Sequence, residues 1–217
     1  MKKLYTSFVC SLLCMALFAN NNPKDTNVGA EIDVYFEYSP IESVTLTIGE
    51  EFALANFLTP QAGLFGYSNT IVGVSYTPHP NITVEAGYEF LYLAPQNMEH
   101  TVQLAATPTV TFGNFVLYLK ETAQMTHATT ENALLWKWVS ELNLSYAIPQ
   151  TPLSPYVYVE MTNPLQANPE SWYEQICYCA GLDWQVNNNH TLGIYYSFTH
   201  TPNSYFHLIG IGYTLSI

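Results

Sequence analysis

The chain has 217 residues, which is enough for one domain or two small ones. It carries 5 Lys and Arg residues against 17 Asp and Glu residues, and its formal net charge of −12 argues against nucleic-acid binding, which needs cations to neutralise phosphates. Charged residues make up only 10% of the chain, well below the share of about 25% in ordinary soluble domains, and aromatic residues make up 15%. This composition does not suit a cytosolic enzyme or a disordered chain.

The first residues have the pattern of a secretory signal peptide. Lys2 and Lys3 form a short positive region, an apolar stretch follows at residues 4–18, and Ala16 and Ala19 are small residues suited to cleavage. The stretch is too short for a transmembrane helix, which needs about 20 apolar residues. We therefore predict a signal peptide at residues 1–19, cleaved near 16–19, and a mature domain at residues 20–217.

The rest of the chain alternates between apolar and polar residues, segment after segment, with turn residues between the segments. In the first segment, for example, Ile32 and Val34 alternate with Glu31 and Asp33. A period of two places the apolar residues on one face of a β-strand. The pattern predicts eleven strands, at residues 28–38, 44–49, 70–76, 82–92, 102–112, 115–125, 136–146, 156–161, 175–184, 192–198 and 205–217.

These strands indicate an all-β fold, a closed antiparallel up-and-down transmembrane β-barrel of the bacterial outer membrane. Strands of about 9–11 residues cross a bilayer at a tilt, and Tyr and Trp at the ends of the apolar faces match an interfacial aromatic girdle. Single-chain bacterial barrels have even strand numbers. We therefore expect twelve strands, with a short strand hidden in residues 20–27. The alternative is ten strands, with the first segment outside the barrel.

A soluble secreted β-sandwich or a lipocalin-like binding protein is the other fold that alternating strands allow. Such a protein would need shorter strands and a polar outer face. Within the barrel, the last strand runs towards the periplasm, which orients every connection. We expect periplasmic turns at residues 39–42, 77–81, 113–114, 148–155 and 187–189, and external loops at residues 54–69, 93–99, 126–132, 164–172 and 201–204.

Cys177 and Cys179 are the cysteines that remain once the signal peptide is excluded. They lie two residues apart on a predicted strand, so both side chains point to one face, where a disulfide would be strained. The Cys-Tyr-Cys spacing is not that of a metal site, and no His or Cys stands nearby to complete one. We predict two small residues that face the lumen or the core.

The second half of the chain resembles the family of short Gram-negative outer-membrane barrels catalogued as domain of unknown function 2490. The resemblance rests on the segments 138–146 (WVSELNLSY), 155–160 (PYVYVE), 181–182 (GL), 190–196 (HTLGIYY) and 209–213 (IGIGY), and on Glu89 after Gly87-Tyr88. It implies a barrel in the outer membrane and no particular activity. The chain departs from the family in having no lumenal Arg and in ending at Ile217 instead of Phe.

In a barrel, the charged residues on the polar faces point into the lumen. Glu141 falls opposite Glu160 across the predicted hairpin, and only one of the neighbours Lys120 and Glu121 can be lumenal. These charges could bind a cation, form the acidic wall of a pore, or make a structural network that fills a narrow barrel. The predicted lumen-facing charged cluster is Glu85, Glu89, Lys137, Glu141, Glu160 and Asp183.

We expect a structural barrel or a narrow cation-preferring channel, without catalytic residues, cofactor or metal. His100, His127 and His200 fall at the predicted external ends, and a lipid-modifying enzyme built on them is the alternative, but no Ser stands at a spacing that completes a catalytic set. His207 falls on the lipid face. The expected partners are outer-membrane lipid, lipopolysaccharide and the barrel-assembly machinery, with no nucleic acid.

Overall fold

The computed structural model describes residues 25–55, 66–93, 97–129, 133–165 and 172–217. The predicted signal peptide therefore lies outside the described residues. The described chain is all-β, as the alternation predicts. It forms the strands β1 (Asp25–Ile41), β2 (Val44–Ala55), β3 (Tyr67–His79), β4 (Ile82–Leu93), β5 (Asn97–Phe112), β6 (Phe115–Ala128), β7 (Ala133–Tyr146), β8 (Leu153–Pro164), β9 (Gln175–Gln185), β10 (His190–His200) and β11 (Ser204–Ser216).

The eleven strands close into one barrel, in which each strand pairs antiparallel with the next and β1 pairs parallel with β11. The predictions of twelve strands, of ten strands and of a purely antiparallel sheet are therefore wrong. With an odd number of up-and-down strands, the first and the last run in the same direction, so closure requires a parallel pair. Residues 25–27 of the expected extra strand belong to β1, and residues 20–24 lie outside the described part of the chain.

The parallel pairing is continuous along almost the whole of β1. The register runs from Asp25 beside Ser204 to Glu37 beside Ser216. Beyond it, the Ile217 amide donates to the Glu37 carbonyl at 2.9 Å, and the Ser39 amide donates to the Ile217 carbonyl at 2.8 Å. The first strand is thus part of the wall, which leaves the described sheet without an open edge.

The barrel has two different ends. At one end, which we call the turn end, the connections at residues 42–43, 80–81, 113–114, 147–152 and 186–189 are short. The opposite loop end carries the connections 56–66, 94–96, 129–132, 165–174 and 201–203. Because β1 and β11 are parallel, Asp25 lies at the loop end and Ser216 at the turn end. The connections fall at the predicted places along the chain, except that residues 39–41 and 77–79 of the predicted turns belong to β1 and β3. Which end faces the periplasm stays a prediction.

The outward face of the wall is mostly apolar. The inward face is mostly polar or small, with apolar exceptions in the wall of the lumen at Ile71, Leu91, Leu93, Phe206 and Leu208. In β1, Ile32 is 57% exposed and points outward, whereas its neighbour Asp33 is 9% exposed and points inward. Tyr38, Trp184 and Tyr76 lie outward near the turn end, and Tyr92 and Trp136 lie outward near the loop end. This distribution is what a wall in contact with lipid needs, and it is the reverse of a soluble β-protein. Within the described residues, no helix is long and apolar enough to cross a membrane.

Ile211→Lys and Gly212→Lys test the assignment of the two faces on one strand. Ile211 points outward and is 54% exposed, whereas Gly212 points inward and has no atom within 4 Å of the position of an added Cβ. A lysine facing lipid near mid-bilayer costs about 2–4 kcal/mol. We expect Ile211→Lys to reduce the yield of folded, heat-modifiable barrel in lipid vesicles strongly, and Gly212→Lys to reduce it little. Equal yields would contradict the assignment.

Candidate functional site: the lumen carboxylates

Two cavities lie along the lumen. The larger, about 870 Å³, extends towards the loop end, and the smaller, about 420 Å³, extends towards the turn end. Both cavities have Tyr35, Ile71 and Glu89 in their walls. These three residues therefore lie where the two cavities adjoin.

Five carboxylates line the larger cavity, and we call them the carboxylate belt. Two come from β1, and β2, β4 and β8 supply one each, so they reach the lumen from well-separated parts of the wall. Glu160 on β8 lines the same cavity as Glu51 on β2 and Glu89 on β4, although these strands are far apart in the wall. The belt consists of Glu31, Asp33, Glu51, Glu89 and Glu160.

Tyrosine hydroxyls hold the two β1 carboxylates. The Tyr195 hydroxyl on β10 donates to Asp33 Oδ2 at 2.7 Å and also contacts Glu31. Glu31 accepts a second hydrogen bond from the Tyr67 hydroxyl on β3. Since Tyr195 has one hydroxyl proton for two carboxylates, donors are scarce at this place. Asp33 Oδ1 is buried and has no hydrogen-bond partner.

Neutral side chains also hold Glu51 and Glu89. Glu51 accepts from the Tyr35 hydroxyl and from Asn69 Nδ2, the latter at 2.9 Å. Glu89 ends a chain of amides along the wall, in which Gln124 donates to Gln103 at 3.1 Å and Gln103 donates to Glu89 at 2.9 Å. These hydrogen bonds orient the carboxylates without neutralising their charge.

Inward-facing glycines make room for the tyrosine rings. Tyr195 lies across Gly210 of β11, which lets its hydroxyl pass over that strand and reach β1. Tyr35 lies across Gly49 in the same way on its path to Glu51. A Cβ at either glycine would overlap the ring, so only glycine allows this close approach.

The cations of the described lumen lie outside the belt. Lys120 lines the smaller cavity and pairs with Glu85 at 2.6 Å. Lys137 pairs with Glu174 at 2.8 Å, close to the loop end. The larger cavity is therefore lined by five carboxyl groups and by no Lys among its described lining residues. Where the sequence left two choices, Lys120 is the inward residue, and Glu121 points outward, where it accepts from Trp138 Nε1 at 2.6 Å.

The predicted lumen residues all lie on the inward face of the described wall. Glu89 and Glu160 belong to the belt, and Glu141 is the cross-strand partner of both Glu160 and Lys120 and accepts from Tyr118 at 2.6 Å. Glu85 pairs with the same Lys120, whereas Lys137 lies beside Glu174 near the loop end and Asp183 lies near the turn end. A shared role for the six stays a prediction.

The sequence prediction of the site omitted three members of the belt, Glu31, Asp33 and Glu51. The signal for the first two was present, because their strand alternates clearly and both stand opposite Ile32 and Val34. Glu51 is less evident, since it follows another glutamate, Glu50, which points outward. Only the continuation of the alternation from Ile48 distinguishes the two.

The histidines of the proposed catalytic alternative lie at the loop end. His100 and His127 are cross-strand partners on the outward face, and the Tyr88 hydroxyl lies 2.6 Å from His100 Nδ1. His200 packs against Tyr205 and Tyr173. His207 faces outward, as predicted, but is only 9% exposed. The described ring contacts of these histidines are with aromatic side chains.

Cys177 and Cys179 face the lumen, are buried and form no disulfide. This agrees with the prediction of two small inward residues. Cys177 is the cross-strand partner of Glu160. Among the residues that the structure describes, no group of three or more His, Cys, Asp or Glu side chains is arranged to hold a metal ion.

A closed barrel with an apolar outer wall and carboxylates in its lumen defines the class of small closed β-barrels. The profile of the family described as "Protein of unknown function (DUF2490)" matches residues 58–206, and the chain belongs to this family. The resemblance noted in the sequence is thereby confirmed. None of the curated proteins matches the chain at a significant level.

Several solved structures are similar to the barrel. A bacterial polysaccharide outer membrane secretin is 10% identical, with a TM-score of 0.48, over 78% of this chain and 62% of the secretin chain. The KdgM porin is 11% identical, with a TM-score of 0.46, over 79% of this chain and 91% of the porin chain. OccK11 of Pseudomonas aeruginosa is 12% identical, with a TM-score of 0.35, over 75% of this chain and 52% of the OccK11 chain.

Gly210→Val tests the contact between Tyr195 and the β1 carboxylates. A side chain at Gly210 overlaps the Tyr195 ring, whereas Gly212, the next inward residue, has open space. Forcing extra atoms into a packed site costs about 1–3 kcal/mol. We expect urea unfolding in lipid vesicles to show this loss for Gly210→Val and a much smaller loss for Gly212→Val.

A background without the ring provides the control for this comparison. In Tyr195→Ala, the valine at position 210 no longer meets an aromatic ring, so most of its cost should disappear. A cost that is the same in both backgrounds would show that the ring contact does not determine the effect.

Proposed function

We propose that the protein is a small outer-membrane barrel whose lumen is a narrow, cation-preferring channel. The observation that carries this proposal is the carboxylate belt, in which negative side chains from separate strands line one cavity and have neutral partners. Rings of Asp and Glu are the usual means of selecting cations in a pore.

The proposed location is supported by the wall of the barrel. The described strands leave no open sheet edge, and hydrocarbon requires this because it offers no hydrogen bonds to the backbone. The outward residues are large and apolar, including Leu104, which is 63% exposed, and Ile209, which is 53% exposed. Such a surface is costly in water and favourable in lipid.

The proposed preference for cations follows from the charge of the lumen. Carboxylates that line a pore through a low-dielectric wall raise the local concentration of the opposite ion and repel anions. In the described lumen, Lys120 and Lys137 each pair with a glutamate outside the belt, and the five belt carboxylates outnumber these two cations.

A packed barrel without conductance is the second candidate. Tyr195 and Tyr67 cross neighbouring strands to reach the β1 carboxylates, and these hydrogen bonds also fill the lumen and brace the wall. The same contacts would serve a structural barrel. Single-channel recording separates the two candidates, because only the channel passes current.

Recordings in planar bilayers test the proposed selectivity. In a salt gradient, we expect the reversal potential of the folded wild-type chain to have the sign that shows cations permeating more readily than anions. In the double variant Glu89→Gln, Glu160→Gln, we expect the reversal potential to move closer to zero. Salt screens the lumen charges, with a Debye length of about 10 Å at 0.1 M, so the preference should weaken at high ionic strength.

Glu121→Gln is the matched control for these recordings, because it removes a carboxylate from the outward face of the same barrel. It should leave the reversal potential unchanged. Anion selectivity, or a belt variant identical to the wild type, would contradict the proposal, and complete absence of current would favour the packed barrel.

Fractionation of bacterial cells that express the full chain tests the proposed location. We expect the protein in the outer-membrane fraction, released by detergent but not by salt, because its apolar wall contacts lipid and lipopolysaccharide. Insertion should depend on the barrel-assembly machinery. Unheated samples should migrate as a compact, heat-modifiable band. Recovery as a soluble periplasmic monomer would refute the location.

A further inference from the structure

The larger cavity combines two kinds of wall that favour the same kind of solute. One kind is the carboxylate belt. The other is a set of tyrosine rings, and no Lys is among the described residues that line this cavity. The volume of about 870 Å³ lies within the range of about 300–1,000 Å³ that is typical of small-molecule sites. The lining tyrosines are Tyr35, Tyr67, Tyr156, Tyr158 and Tyr195.

Two polar side chains of the cavity wall have an oxygen that lacks a donor. Asp33 is 9% exposed and its Oδ1 has no partner, and Asn69 is 8% exposed and its Oδ1 has no partner either. Asn69 Nδ2 donates to Glu51, which fixes its amide group beside the belt. Both unpaired atoms are hydrogen-bond acceptors, and a buried acceptor without a donor is unfavourable.

Three of the five tyrosines that line the cavity already use their hydroxyl protons. The hydroxyls of Tyr35, Tyr67 and Tyr195 donate to Glu51, Glu31 and Asp33. The two unpaired oxygens are enclosed by the wall, whereas the belt carboxylates line the cavity, and a solute that brings its own N–H donors and a positive charge would complement these carboxylates. Charge-assisted hydrogen bonds of this kind are among the strongest in proteins.

Tyrosine rings line the same space. Tyr156 lies across Gly181 and Tyr195 across Gly210, so each ring passes close to the backbone of the wall. Tyr156 and Tyr158 are stacked parallel, with ring centroids 6.4 Å apart and planes 1° apart. Aromatic faces attract organic cations through the ring quadrupole and also contact their hydrocarbon parts.

We propose that the larger cavity binds a small organic ammonium compound. The ammonium group donates to the belt carboxylates, and the hydrocarbon part lies against the tyrosine rings. This inference rests on the proposed function, since it names the solute class of the same lumen. A hydrated inorganic cation satisfies the carboxylates but gains little from the rings, so the cavity discriminates between the two kinds of cation.

Isothermal titration calorimetry of the folded full-length barrel in detergent tests the inference with 1,4-diaminobutane as the probe. We expect saturable binding of the diamine, and none of 1,4-butanediol, which has the same chain without the charges. We expect most of the diamine binding to remain when KCl is added as a competitor at an ionic strength equal to that of the diamine solution. Binding that KCl abolishes at matched ionic strength would reveal a site for inorganic cations and overturn the inference.

Variants separate the contributions of charge and ring. Glu51→Gln combined with Glu89→Gln should weaken diamine binding about tenfold or more, because a charge-assisted hydrogen bond is lost. Tyr156→Leu should weaken it severalfold and Tyr156→Phe should not, because only the first removes the aromatic face. Glu37→Gln is the control, because Glu37 lines the smaller cavity and not the larger one. Its carboxylate accepts a hydrogen bond from the Ser216 hydroxyl at 2.8 Å.

The outcomes for this inference and for the channel differ. Cation-selective current without diamine binding overturns the ammonium site and leaves the channel in place. Diamine binding without current overturns the channel and supports a binding barrel. Should a variant fail to fold, the comparison of diamine, diol and KCl on the wild-type chain alone still decides the inference.

Discussion

The parallel pairing of β1 with β11 is the constraint on which the rest of the molecule depends. Eleven up-and-down strands can close only by joining two strands that run in the same direction, and the register between Asp25 and Glu37 accomplishes this. Without the closure, both strands would present unpaired backbone groups, which hydrocarbon does not tolerate. The closure also places the first and last described residues at opposite ends of the barrel, with Asp25 at the loop end.

The same closure creates the centre of the lumen. It brings β1 next to β11, so that Tyr195 of β10 needs to cross only one strand to reach Asp33. Gly210 of β11 makes this crossing possible because it has no side chain in the path of the ring. The strand that completes the wall, β1, therefore also carries the carboxylates Glu31 and Asp33. Gly210 in the neighbouring strand β11 leaves the space through which Tyr195 reaches them.

Much of the fold could be predicted from alternation, because a period of two determines which face each residue occupies. The sequence alone shows, for example, that Ile32 and Ile211 face outward and that Asp33 and Gly212 face inward. The number of strands could not be predicted from the alternation. The expectation of an even number came from other barrels, whereas this chain has a long β1 whose partner on one side is the parallel β11.

The site was less predictable, since alternation gives the face of a residue but not its neighbours across the lumen. That Glu160 on β8 lines the same cavity as Glu51 and Glu89 depends on the curvature and stagger of the whole sheet. Even within one strand, alternation does not always decide which face a residue occupies. Lys120 and Glu121 are neighbours that both fit the local pattern, and the pairing of Lys120 with Glu141 on β7 shows that Lys120 faces inward. Glu31 and Asp33 were on the predicted polar face, but their strand had no certain place in the barrel until β1 was seen to close it.

Nuclear Overhauser contacts between β1 and β11 in the folded chain are the most direct test of the central claim, that an odd barrel closes through these two strands. With the perdeuterated, amide-protonated protein in detergent micelles, the account predicts a parallel ladder of contacts, with the amides of Ile32 close to those of the residues around Ile211. A ladder that connects β11 antiparallel to residues before Asp25 would instead show a twelfth strand and contradict the account.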